Sequence, residues 1–212
     1  LTPYHPLNKQ GEPSYDPWPD LPFDYFSDPR RHNLTWEAIF STATQANLRI
    51  CDFGCGDGRL LERLSKTGFS DLTGVDHSAT ALERAKVRVP GLKTFQGDLV
   101  ELGRSSNLPE LRNVLQYDVV VCTEVFEHLP NDEDVEIVAD LLFYSCAYMG
   151  FAVISIPDDS ICKIDDDHRR LFQPGDQLKI LENAGFVDVH DFPYHYSDEY
   201  PQPWLYAIGM MP

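Results

Sequence analysis

The run Ile50-Cys51-Asp52-Phe53-Gly54-Cys55-Gly56-Asp57-Gly58 constrains this chain more than any other stretch. A short apolar strand passes straight into three glycines at alternate positions, which lets the backbone turn tightly while a ligand presses against it. Such a turn belongs after the first strand of a parallel α/β sheet, and the residues downstream keep to that pattern. Strands are expected at 48–53, 71–75, 92–96, 117–122 and 151–156, with helices at 59–67, 78–89, 132–149 and 173–184 between or after them. Two further strands, at 187–192 and 204–211, follow one another without a helix, the pattern of an antiparallel hairpin at a sheet edge. Asn33 is a plausible N-cap for an earlier helix running to about residue 46. The fold class is therefore α/β, a doubly wound and mostly parallel sheet in one domain from residue 32 to 212.

The same turn narrows the ligand. A dinucleotide fingerprint needs its third glycine at position 59, which is Arg, and no Lys-Ser/Thr pair follows to make a phosphate-binding loop. Asp76 closes the second strand, 24 residues after Asp52, where a carboxylate can accept both hydroxyls of a ribose. Gly97-Asp98 closes the third, where a carboxylate can accept a hydrogen bond from an adenine amine. All three acids fall at carboxyl ends of strands, beside the switch point where such sheets bind ligands.

In these residues the sequence resembles the class I S-adenosylmethionine-dependent methyltransferases, over about residues 34–212. Asp52, Gly54, Gly56 and Gly58 are similar to that superfamily's first motif, Asp76 to its ribose-binding acid, and Gly97 with Asp98 to its adenine-side acid. The resemblance implies a seven-stranded Rossmann-like sheet with the last strand antiparallel, S-adenosylmethionine as cofactor and S-adenosylhomocysteine as product. It also implies that Cys122 and Thr123, ending the fourth strand, lie near the methionine part of the cofactor.

Past that strand stand Glu124, Glu127 and His128, at a spacing that would put them on one face of a helical turn stopped by Pro130. Imidazole titrates near neutrality, so His128 is a natural general base, with Glu124 beside it. His168, in Asp167-His168-Arg169-Arg170-Leu171-Phe172 beyond the fifth strand, is expected to pass over the same pocket and is the other candidate base. These features resemble the small-molecule methyltransferases of quinone and natural-product pathways, which implies an oxygen or nitrogen nucleophile on a small acceptor. The alternative resemblance is to the small-RNA 3′-terminal 2′-O-methyltransferases. There Glu124, Glu127, His128 and His168 would hold Mg²⁺ or Mn²⁺ against the terminal ribose, and RNA would be the partner. A third possibility is a non-catalytic cofactor-binding subunit.

Charge and composition weigh on the partner. The chain has a net charge of −17, and residues 107–212 carry five Lys/Arg against twenty Asp/Glu, a net −15. A surface of that sign repels a phosphate backbone and suits a small, neutral or cationic partner. Acids at 132–134, 158–159 and 165–167 would either solubilise the surface or rim the pocket. Aromatic residues between Asp191 and Tyr206 are candidate pocket walls. Residues 1–31 hold seven of the sixteen prolines among Tyr, Trp and Phe, which predicts an extended arm or a lid. That segment lacks the apolar run of a secretory leader, and no stretch approaches the roughly 20 apolar residues of a membrane span. Five cysteines, odd in number and within apolar runs, suit reduced thiols of a cytoplasmic protein.

Overall fold

The computed structural model describes residues 35–40, 47–105, 108, 116–159, 168–192 and 204–212. The proline-rich arm, the Asn33 cap, Cys162, the acids at 165–167 and most of the 191–206 aromatic stretch lie outside them.

Seven strands form one sheet: β1 (Arg49–Phe53), β2 (Asp71–Asp76), β3 (Lys93–Gln96), β4 (Tyr117–Thr123), β5 (Cys146–Pro157), β6 (Val187–Asp191) and β7 (Trp204–Met210). Their order across the sheet is β3-β2-β1-β4-β5-β7-β6. The first five are parallel, whereas β7 runs antiparallel between β5 and β6. The expected edge hairpin is present, with β6 outermost and β7 inserted against β5. Order reverses between β1 and β4, and open α/β sheets bind ligands beyond the carboxyl ends of the strands at such a switch point.

Helices lie on both faces: α1 (Arg59–Lys66), α2 (Ala79–Arg88), α3 (Leu99–Ser105), α4 (Asp132–Ser145) and α5 (Asp176–Ala184). Alternation along β4 shows how the central strands serve two cores. Val119 and Val121 pack with Ile50, Leu61, Leu64 and Leu82, while Val120 and Cys122 pack with Phe53, Leu142 and Ile154. A strand covered on both sides must be apolar at every position, which is why 119–122 reads as a continuous run. Among the described residues no helix is long and apolar enough to cross a membrane. Cys51, Cys55, Cys122 and Cys146 are all buried.

Two elements depart from the sequence-based expectation. The helix from Asp132 ends at Ser145, four residues short of Met149, because Cys146 already pairs with Tyr117 at the foot of β5. Between that pair and Val119–Phe151 the register slips, through Met149 at φ 58° and Gly150. A Cβ on Gly150 would stand 2.8 Å from the Asp118 carbonyl oxygen, so only glycine passes there. The second departure is α3, a short helix where none was expected. Asp98 Oδ1 accepts from the Val100 and Glu101 N–H groups at 2.9 and 3.0 Å and so starts it.

Candidate active site

The glycine turn is fixed from three sides. Gly54, Gly56 and Gly58 all have positive φ, at 83°, 51° and 80°. A Cβ on Gly54 would come within 2.4 Å of Val125 Cγ2, and one on Gly58 within 2.7 Å of Ala85 Cβ. These two glycines are thus required both by conformation and by close packing against the β4 loop and α2. Gly54 and Cys55 N–H groups donate to the Val75 carbonyl at 2.7 and 3.0 Å, tying the turn to β2. Asp57, buried inside the turn, accepts from Arg88 at 2.7 Å and has the Arg59 guanidinium 3.4 Å away. Two cations thus neutralise one carboxylate that the chain has taken out of water, the condition under which such burial is tolerated. Nothing in the glycine pattern announces this pair.

Asp76 Oδ2 accepts from Gly56 N–H at 2.9 Å, and Oδ1 from Ser78 N–H at 2.8 Å. A carboxylate oxygen can accept more than one hydrogen bond, the chemistry that a pair of neighbouring hydroxyls requires. Gly97 N–H donates to the Asp76 carbonyl at 3.0 Å, which sets the β3 turn beside that acid. Asp98 lies one residue on, its carboxyl raised above the ordinary range by burial and held back by the Val100 and Glu101 N–H groups. Asp52 is fully enclosed at the end of β1. Burial first, and the Asp76 charge second, push its carboxyl up to about 7. Cys122 is buried on β4 and its thiol is pushed well above the usual value by burial, with the Asp52 and Glu127 charges adding. Thr123 is half-buried, paired in register with Ser155.

Beyond β4 the structure separates residues that the sequence spacing would group. The helical turn there is a single 3-10 turn, Phe126–His128, and Glu124 precedes it at φ 58°. A left-handed glutamate cannot share a helical face with Glu127 and His128. Its carboxylate instead accepts from Ser155 Oγ at 3.1 Å and from Trp204 Nε1 at 2.7 Å. Glu127, His128 and His168 do come together, offering atoms all within 4.8 Å of one another. The two imidazole rings meet edge to face with centroids 5.4 Å apart. His168 is brought there by the backbone: Arg169 and Arg170 N–H groups both donate to the Glu127 carbonyl, at 2.8 and 3.3 Å. On its other side His168 Nδ1 faces Asp159 Oδ1 at 3.8 Å. Of the acidic cluster, Asp134 is buried and bound by Arg104 and Asn131, and Asp132 pairs with Arg170, so these acids are mostly structural.

A family model described as a methyltransferase domain matches residues 30–191. The chain belongs to that family, within the class I S-adenosylmethionine-dependent superfamily. The ubiquinone biosynthesis O-methyltransferase of Psychrobacter arcticus is 26% identical over 181 residues, covering 76% of this chain and 67% of that protein. Its counterpart in Dechloromonas aromatica is 33% identical over 132 residues, 61% of this chain and 53% of that one. Among solved structures, a SAM-dependent methyltransferase from Archaeoglobus fulgidus shares the fold at TM-score 0.63 and 20% identity, over 88% of this chain and 99% of its own. The methyltransferase domain of bacterial CtHen1-CN aligns at TM-score 0.63 and 25% identity, over 86% and 100%.

The residues gathered at the strand ends of this methyltransferase fit the superfamily's cofactor by their chemistry. S-adenosylmethionine carries a sulfonium and an ammonium, and the end of β1 and β2 gathers two buried carboxylates, one of them destabilised by the other. A cation placed there relieves that repulsion. The acceptor Asp76 and the backbone turn at Gly56 suit a ribose lying against them.

Proposed function

We propose that this methyltransferase moves the methyl group of S-adenosylmethionine to an oxygen of a small-molecule acceptor, with His168 as the general base and His128 beside it. The observation that carries this reading is the His128–His168 pair, whose residues follow the carboxyl ends of β4 and β5, the side on which α/β sheets bind ligands. The ubiquinone biosynthesis O-methyltransferases among the relatives support an oxygen nucleophile. Bound cofactor supplies a methyl already activated by its sulfonium. Asp76 and Asp98 hold the ribose and adenine ends, the turn Gly54–Gly58 lets the backbone approach, Asp52 balances the positive charge, and Cys122 and Thr123 wall the methionine side. His168 takes the proton of the acceptor hydroxyl as the oxygen becomes nucleophilic. Glu124, fixed by Ser155 and Trp204, presents a carboxylate on the acceptor side rather than acting as the base.

The test is methyl transfer from tritiated S-adenosylmethionine to a panel of phenols, catechols and amines in the presence of EDTA. O-methylated product is expected, with kcat lowered about 10²–10⁴-fold in His168→Ala while cofactor affinity holds. Full rate in that variant, or transfer only to amines, would overturn the reading.

A second reading is favoured by one feature, the approach of Glu127, His128 and His168 within 4.8 Å. These three residues would hold Mg²⁺ or Mn²⁺, which would acidify a ribose 2′-hydroxyl at the 3′ end of a small RNA. Glu124, the fourth ligand in that resemblance, points its carboxylate elsewhere, and the net −15 of residues 107–212 opposes an RNA partner. Calorimetric titration of Mn²⁺ into the protein saturated with S-adenosylhomocysteine separates the two: tight binding lost in His168→Ala favours the metal, no binding the organic base.

A further inference from the structure

The Asp159–His168 pair goes beyond the residues needed to hold cofactor and acceptor. Asp159 lies just past β5 in the turn after Pro157-Asp158, and its side chain is 2% exposed; that of His168 is 14% exposed. Asp159 Oδ1 and His168 Nδ1 stand 3.8 Å apart, both sealed from solvent, and neither atom has a hydrogen-bond partner among the described residues. Both residues are anchored independently of one another. Asp159 Oδ2 accepts from Phe172 N–H at 2.6 Å and Asp159 N–H donates to the Phe172 carbonyl at 3.0 Å, while the Glu127 carbonyl grips the next two N–H groups after His168. The carboxylate is therefore aimed at one particular nitrogen of the imidazole.

We propose that Asp159 is a positioning residue that sets the tautomer of His168, holding the proton on Nδ1 so that Nε2 presents its lone pair to the acceptor hydroxyl. This rests on the reading of His168 as the base. A neutral imidazole has one N–H and one lone pair, and a carboxylate can only accept, so the two fit in a single sense. A separation of 3.8 Å is long for a hydrogen bond, and such contacts tighten when substrate closes the site. The Oδ2 anchor makes the carboxamide at this position informative. In Asp159→Asn the amide oxygen keeps the Phe172 N–H and turns the amide NH₂ toward His168 Nδ1. That nitrogen must then accept, and the proton moves to Nε2, where it blocks the base. The same logic governs a buried aspartate behind a catalytic histidine in acyl transfer.

The experiment reads the tautomer directly. Full-length protein labelled with ¹⁵N-histidine is examined by long-range ¹H–¹⁵N correlation, with His168→Gln assigning the signals. In the unaltered protein His168 is expected with Nδ1 protonated and Nε2 bare, and in Asp159→Asn with the reverse. Methyl transfer to the best phenol of the panel should fall at least about 100-fold in kcat, with KM for the cofactor and the melting temperature unchanged. An Nε2–H tautomer in the unaltered protein, or no change of tautomer in the variant, would overturn the proposal. A reversed tautomer with full transfer rate would overturn the role of His168 as base, and the spectrum tells that failure from the first.

Discussion

The two halves of the sheet build the cofactor and acceptor sides of the proposed site in different ways. On the cofactor side every group arises within a few residues of a strand end. The glycine turn follows β1, Asp76 ends β2 and Asp98 follows β3, and they are joined by bonds between adjacent elements such as Gly56 N–H to Asp76 and Gly97 N–H to the Asp76 carbonyl. On the acceptor side the contacts cross long stretches of chain. Trp204 reaches Glu124 over 80 residues, and His168 meets His128 across forty, steered by backbone bonds to Glu127. A site made of consecutive strand ends is legible as a motif, whereas one made of distant loops depends on how those loops are folded back. The charge divides the same way, with residues 107–212 carrying a net −15 of the chain's −17.

That contrast can be broken or sharpened by substitutions in each half. The largest effect is expected on the cofactor side from Asp52→Asn. The folded carboxyl titrates at about 7, against about 3.9 in an unfolded chain. Below pH 4 both states hold the proton. Between 4 and 7 only the folded state does, so its stability falls as pH rises, and above 7 the loss is complete at on the order of 4 kcal/mol. Cofactor-free Asp52→Asn should therefore gain stability over the unaltered protein progressively from pH 4 to 7 and hold that gain above it. Urea unfolding at pH 4.5 and 8 checks this, and a gain independent of pH would sink it. The same variant should lose cofactor affinity, since the cation loses its counter-charge.

Next comes the ion pair inside the glycine turn. Arg88→Met leaves Asp57 buried with reduced compensation, and a cost of about 3 kcal/mol in urea unfolding is expected. Cofactor affinity should fall with it, because Asp57 sits between Gly56 and Gly58. A neutral result would mean that Arg59 alone suffices. Asp76→Ala removes a charged acceptor for two hydroxyls and should weaken cofactor binding about 10–100-fold by calorimetry, while acceptor preference is retained. The smallest effect belongs to the acceptor side. Trp204→Phe deletes one donor to Glu124, worth about 1 kcal/mol, so kcat/KM for the acceptor should drop roughly fivefold with cofactor affinity unchanged. If that variant altered cofactor binding instead, the division between the halves would fail.

Much of the fold was readable beforehand because parallel strands buried on both faces leave continuous apolar runs, as at 119–122. The helix at 99–105 is not, since the spacing marks Asp98 as a candidate ligand-binding acid and does not reveal that it is an N-cap. The grouping of Glu124 with Glu127 and His128 assumed a regular helical turn. The left-handed backbone at Glu124 overrode it, because Ser155 and Trp204 supply donors that only the neighbouring strands can bring. Asp159 stands in the sequence as one acid of a cluster, and its approach to His168 Nδ1 is a matter of packing.

What the sequence determined by itself is therefore the parallel sheet, the switch point between β1 and β4, and the acids that line it, since each is encoded by residues adjacent in the chain. Only the tertiary structure decided which acids face which imidazoles. Those pairings depend on where a loop is pinned by a backbone carbonyl, and a carbonyl is present in every residue and leaves no mark in the sequence.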